Sequence, residues 1–108
     1  MSNVEDLKKF IIDKLEDKKA GDISVLDLDG KTSMARYMVF ANGRSNKNVA
    51  AIADFLSLEL KHQADLDVNI EGFKQSDWVL IDAGSVIVNI FHPEARDHYS
   101  LEEYWQTK

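Results

Sequence analysis

The chain has no cysteine, one proline and no long apolar run. Without thiols there is no disulfide framework, no thiolate nucleophile and no cysteine-ligated zinc. No stretch approaches the ~20 apolar residues that a membrane-spanning helix requires. The first ten residues, MSNVEDLKKF, lack the basic start, apolar stretch and small-residue cleavage site of a secretory signal. Glycine is scarce, and the five present form neither a Walker loop nor a dinucleotide-binding loop. No Gly-x-Ser-x-Gly elbow occurs. His62, His92 and His98 are scattered, and none has a metal-type partner at i+4. The expectation is a cytoplasmic domain with no cofactor and no metal.

With 108 residues, 44% hydrophobic and 30% charged, the chain suits one packed domain over residues 1–108. No repeat, low-complexity segment or linker divides it. The net charge is −6, and it is unevenly placed. Residues 1–64 carry ten acidic and ten basic side chains, whereas residues 65–108 carry nine acidic and three basic. An acidic field over the second part repels nucleic acid and speeds encounter with a basic partner, although it also serves plain solubility.

Periodicity supplies the elements. Ser2 and Glu5 have capping-box spacing, and Val4, Leu7, Ile11 and Leu15 form an apolar helical stripe that Gly21 is expected to close. The five lysines between Lys8 and Lys19 alternate with Asp13, Glu16 and Asp17, as on a solvated helix face. DISVLDLDGKTS reads as a strand with a turn at Asp29-Gly30, and RYMVFANG as a second strand. Ser45 is placed to cap a helix carrying Val49, Ile52, Ala53, Leu56 and Leu60 at helical spacing. Leu66, Val68 and Ile70 alternate as a third strand. Pro93 suits the first turn of a short helix, and Ser100 and Glu103 form a second capping box before Tyr104 and Trp105. The predicted order is α-β-β-α-β-β-β-α, an α/β (α+β) fold with a mixed five-stranded sheet flanked by helices.

The last two strands come from SDWVLIDAGSVIVNIFHP, residues 76–93. A two-residue turn at Ala83-Gly84 would set Asp82 opposite Ser85, Leu80 opposite Ile87 and Trp78 opposite Asn89. One face then carries only Val79, Ile81, Val86, Val88 and Ile90, a core face. The other mixes Trp78, Leu80 and Ile87 with Asp82, Ser85 and Asn89. Aromatic and aliphatic anchors with a polar surround suit a protein-docking surface. The alternative is that another helix of the chain, carrying Tyr104 and Trp105, covers this face.

Catalytic signals are thin. Asp27 and Asp29, two apart on a strand, share a side and could hold Mg²⁺. Gly43 and Ser45 at a helix start could take a phosphate. Together they hint at a nucleotidyltransferase. The order is reversed from that class, however, because the paired Asp precede the Gly-Ser. Asp29-Gly30 is also an ordinary turn, and Ser45 an ordinary cap.

Four blocks, LDLDGKTS, YMVFANGRS, DWVLIDAG and HPEARDHYSLEEYW, stand in one order over residues 5–105. In this set the chain resembles the ribosomal silencing factor (RsfS, Iojap-like) family. The resemblance implies a nucleotidyltransferase-like fold without the catalytic site, and a binding protein rather than an enzyme. It implies a translation repressor that binds the large ribosomal subunit through ribosomal protein L-fourteen and blocks joining of the small subunit when nutrients are scarce. It also implies a possible homodimer, and organellar relatives that act in large-subunit biogenesis. The partner-binding residues expected on this basis are Trp78, Leu80, Asp82, Ala83, Gly84, Ser85, Ile87 and Asn89. The family usually has Asp at position 36, Leu at 83, Asp at 85 and His at 89, where this chain has Arg36, Ala83, Ser85 and Asn89. An Mg²⁺-dependent nucleotide enzyme at Asp27, Asp29 and Ser45 is the alternative, and a generic acidic adaptor a third reading.

Overall fold

Helix α1 (Val4–Asp17) is followed by β1 (Gly21–Asp27), β2 (Tyr37–Asn42), α2 (Asn46–Ala64), β3 (Asn69–Glu71), β4 (Trp78–Asp82) and β5 (Val86–Phe91) in a computed structural model that describes residues 3–72 and 77–95. The predicted succession through the fifth strand is present. Pro93 opens a helical turn at 93–95, with the N–H of Ala95 donating to the His92 carbonyl at 2.9 Å. Ser2, His98, and the expected capping box of Ser100 and Glu103 before Tyr104 and Trp105, lie outside the described residues.

Both ends of α1 differ from expectation. Asn3 is the N-cap: its backbone is extended, and its Oδ1 accepts the N–H of Asp6 at 2.8 Å. At the other end Lys19, not Gly21, takes the left-handed position, with φ 57°. The N–H groups of Lys19 and Ala20 return to the carbonyls of Glu16 and Leu15 at 2.9 and 3.0 Å, the Schellman pattern. The helix thus stops four residues before Gly21, which opens β1 opposite Asn42.

The sheet runs β1-β2-β5-β4-β3, with β2 and β5 parallel and the other pairs antiparallel. Chain connectivity dictates this order. The parallel β2 and β5 need a long connection, and α2 lies within it, whereas a two-residue turn joins the antiparallel β4 and β5. Every residue of β2 and β5 is buried, as expected of central strands covered on both faces.

Two apolar clusters result. On one face Leu7, Ile11 and Leu15 of α1, with Val49, Ile52, Ala53, Leu56 and Leu60 of α2, pack on Val39, Ala41, Val79, Ile81, Val86, Val88 and Ile90. The predicted helix stripes and the predicted core face of the last hairpin therefore meet. Leu66, Val68 and Ile70 join this cluster from the edge, although β3 itself has only three residues. On the opposite face Leu28, Ala35, Met38, Phe40, Ile87 and Phe91 form a second cluster, against which Leu26, Trp78, Leu80 and Ala95 pack.

Helix α2 begins as predicted at Ser45, whose Oγ accepts the N–H of Asn48 at 3.1 Å. Gly43 precedes it where a Cβ would lie 2.7 Å from Val49 Cγ2 and 2.8 Å from Val49 N. Only a glycine lets the end of β2 approach the first turn of α2 so closely.

Candidate functional site

The hairpin of β4 and β5 turns at Gly84-Ser85, one residue later than the predicted Ala83-Gly84. The N–H of Ala83 donates to the Val86 carbonyl at 3.0 Å, and Gly84 has φ +83°. A positive φ at the first central residue is a type II′ feature, and glycine is the residue that adopts it freely. The partners are accordingly Trp78 with Phe91, Leu80 with Asn89 and Asp82 with Ile87, which replaces the expected pairing. The register moves by two residues, so each side chain keeps its predicted face; a shift of one would have inverted them.

The outer face is a cross-strand aromatic row. The Trp78 and Phe91 rings stack with centroids 5.5 Å apart, and those of Phe91 and Phe40 lie 6.4 Å apart. The indole N–H of Trp78 donates to Asn89 Oδ1 at 2.9 Å. Phe40 and Phe91 are buried, whereas Trp78 and Leu80 are half-exposed because β4 lies one strand from the edge. Gly72, with φ +81°, lies beside this strand at the end of β3, where an added Cβ would meet the Trp78 carbonyl oxygen at 2.3 Å. Glycine is required there on both counts.

The eight expected contact residues separate into two groups. Trp78, Leu80 and Asp82 are half-buried, and Gly84 and Ser85 are exposed at the turn. Ala83, Ile87 and Asn89 are buried. Ala83 points to the helix side and belongs to the core cluster beneath α1 and α2. Ile87 and Asn89 lie on β5, shielded by β2 on one side and β4 on the other. Asn89, expected among the outer polar residues, instead sits beneath the indole. Ala83 shares the face of Val79 and Ile81 once the turn moves past it, whereas alternation could not separate Ile87 and Asn89 from Trp78 and Leu80, because it assigns a face without saying which strand of the sheet is central.

Asp82 accepts the N–H of Gly84 at 2.9 Å through Oδ1 and so fixes the turn. The Ser85 carbonyl accepts from the N–H groups of both Arg36 and Tyr37, at 2.8 and 3.2 Å. The hairpin turn is thereby bound to the β1–β2 connection, a contact that hydropathy patterning did not suggest.

That connection carries a charged cluster. Arg36 donates from Nε to Asp27 Oδ1 at 3.0 Å and from a terminal nitrogen to Asp27 Oδ2 at 3.3 Å. The guanidinium also lies 4.9 Å from the Tyr37 ring centroid, and Lys8 Nζ lies 4.5 Å from it. The Tyr37 hydroxyl donates to Glu5 Oε2, and Glu5 pairs with Lys8 at 3.0 Å. These contacts hold the Asp27 carboxyl below its usual range, chiefly through Arg36 and then through the Asp29 N–H. Glu5 is likewise lowered, first by Tyr37 and then by Lys8, while Tyr37 is raised by Glu5.

The paired-aspartate expectation is corrected here. Strand β1 ends at Asp27, and Asp29 lies in the Leu28–Lys31 turn, so the two carboxylates do not share a strand face. Both Asp27 oxygens face Arg36, and one also accepts from the Asp29 backbone. Ser45 serves as the helix cap. No group of three metal-binding side chains occurs among the described residues, and no helix among them is long and apolar enough to cross a membrane. His62 is exposed on α2, while His92 Nδ1 accepts the Glu94 N–H at 3.4 Å.

Known proteins resemble this chain in sequence and in fold. A Zymomonas mobilis protein, Ribosomal silencing factor RsfS, is 44% identical over 94% of this chain and 76% of its own length. A solved Chromobacterium violaceum structure superposes with a TM-score of 0.92 at 38% identity, covering 96% of this chain and 87% of that one. A Mus musculus protein named Mitochondrial assembly of ribosomal large subunit protein 1 is 31% identical over 89% of this chain and 43% of its own length. Residues 1–108 match the family described as Ribosomal silencing factor during starvation, and the chain belongs to that family.

Proposed function

We propose that this chain binds the large ribosomal subunit through ribosomal protein L-fourteen, sterically blocks small-subunit joining and represses translation under nutrient limitation. The observation that carries this reading is the outer face of the β4–β5 hairpin in a member of the silencing-factor family. There a half-exposed Trp78, stacked on Phe91 and hydrogen-bonded to Asn89, stands beside Leu80 and Asp82. An ordered aromatic anchor of this kind loses little conformational freedom on binding. The acidic second part of the chain suits a basic ribosomal protein. The action is exclusion rather than catalysis, in the cytoplasm, without cofactor or metal.

The name of the mouse relative supports a second reading, a role in large-subunit assembly. Subunit joining, measured with purified ribosomal subunits and increasing amounts of the protein, tests the proposal. Joining should fall as the large subunit is titrated. Joining at the normal rate with the protein bound would leave assembly as the better reading.

A further inference from the structure

Among the described residues only two large apolar side chains are strongly exposed, Met34 at 53% and Leu58 at 49%. Leu58 stands on α2, on the helix side of the sheet. Met34 stands on the β1–β2 connection, next to the hairpin. It lines an open groove of about 450 Å³ together with Leu80, Ile87, Glu71 and Asp82. It also lines a second depression, of about 380 Å³, with Arg36, Gly84 and Ser85. Met34 thus forms a ridge between two hollows, both of which touch the hairpin.

The backbone beneath this ridge is tied down. The Met34 N–H donates to Thr32 Oγ1 at 3.1 Å. Two residues later Arg36 is held by the Ser85 carbonyl and by the two-pronged pair with Asp27. An exposed apolar side chain on such a restrained backbone loses mainly rotamer freedom when it is covered. Methionine is suited to the role, because its unbranched thioether adapts to irregular partner surfaces. Glu71 and Asp82 border the same groove, and neither pairs with a cation among the described residues.

We infer that Met34 is a partner-binding residue: with Leu80 and Ile87 it forms an apolar groove that accepts one aliphatic side chain from a basic protein segment, whose neighbouring lysine or arginine meets Asp82 and Glu71. The inference rests on the hairpin face being the docking surface, and it extends that surface onto the β1–β2 connection. The occupant follows from the groove lining, which sets Met34, Leu80 and Ile87 beside the carboxylates of Glu71 and Asp82.

Binding to purified large ribosomal subunits tests it, with Met34→Ser, Met34→Leu, Leu58→Ser and Trp78→Ala compared with wild type and melting temperatures recorded for each. Loss of an apolar anchor at an interface weakens binding by about tenfold. Met34→Ser should therefore bind about tenfold more weakly at an unchanged melting temperature. Met34→Leu should restore binding, and Leu58→Ser should bind like wild type. Wild-type binding by Met34→Ser, with Trp78→Ala impaired, would overturn the role of Met34 and leave the docking face standing. Equal loss from Leu58→Ser would also overturn it, because removing either exposed apolar group would then matter alike. Wild-type binding by both Met34→Ser and Trp78→Ala would remove the docking face and this inference with it.

Discussion

The indole N–H of Trp78 donates to Asn89 Oδ1 at 2.9 Å, across a pair of strands on the sheet face away from the helices. This contact fixes the orientation of the Asn89 amide. Its oxygen must face the indole donor, so its Nδ2 must point away, and that buried nitrogen has no hydrogen-bond partner among the described residues. The pair therefore holds the indole in place and leaves a buried donor unmatched among the described residues.

Trp78 should matter for binding more than for folding. It is half-exposed, whereas truncation of a fully buried Trp costs ~3–5 kcal/mol of stability. Trp78→Ala should cost less than that, because part of the indole already faces water. As an interface anchor it should cost ~2 kcal/mol or more, a roughly thirtyfold loss of large-subunit affinity. Sedimentation binding and thermal unfolding of one variant measure both quantities. A large fall in melting temperature with normal affinity would make Trp78 a core residue only.

Asn89→Leu should be close to neutral in stability, or stabilising. The buried Nδ2 carries a desolvation cost of about 1–3 kcal/mol, which leucine removes. The substitution also deprives the Trp78 N–H of its acceptor, but that indole is half-exposed and can turn to water. Asn89→Ala should be worse than Asn89→Leu, because it leaves a cavity as well. Chemical denaturation of both variants checks the order. A loss above ~2 kcal/mol for Asn89→Leu would mean that the amide is better satisfied than its surroundings show.

The Asp27–Arg36 pair should give a small, pH-dependent stabilisation. Arg36 holds the Asp27 carboxyl below its usual range. A depressed carboxylate stabilises the fold at pH values above its unfolded pKa, and that contribution is lost as the pH falls through the lower, folded value. The melting-temperature gap between wild type and Arg36→Ala should be full at neutral pH, shrink through the acid range and vanish below it. The pair is exposed, so added salt should narrow the gap too. A gap that persists unchanged into strong acid would assign the effect to packing of Arg36 on Tyr37.

Much of the fold could be read from periodicity, because the stripes of α1 and α2 and the alternation of the last hairpin record burial directly. Leu7, Ile11, Leu15, Val49, Ile52 and Leu56 are all in the core. Local backbone choices were less legible. A lysine takes the left-handed cap position where a glycine was available two residues later, because the helix hydrogen bonds end before Gly21. The hairpin turn moves onto Gly84-Ser85, so that glycine takes the first central position. Burial at the candidate site depends on strand order. Nothing local distinguishes the half-exposed Leu80 from the buried Ile87; only the placement of β5 between β2 and β4 does. The Arg36–Asp27 pair was equally hidden, since it joins residues nine apart across the β1–β2 connection.

Association with the large subunit should slow as monovalent salt rises. Residues 65–108 carry nine acidic and three basic side chains, and Glu71 and Asp82 stand beside the hairpin face. Exposed charges around an interface act chiefly on the encounter rate, which reaches ~10⁸–10⁹ M⁻¹s⁻¹ with electrostatic attraction and ~10⁵–10⁶ without it. The Debye length shortens from ~30 Å at 0.01 M salt to ~8 Å at 0.15 M, so attraction at long range disappears over that interval. The dissociation rate should change far less, because Trp78, Leu80 and Met34 separate only after contact is made. Stopped-flow association with purified large subunits over this salt range gives both rates. Glu71→Gln plus Asp82→Asn should flatten the salt dependence of association while leaving dissociation nearly unchanged. A salt-independent association rate in the wild type would remove electrostatic attraction from the account and leave the apolar face to act alone.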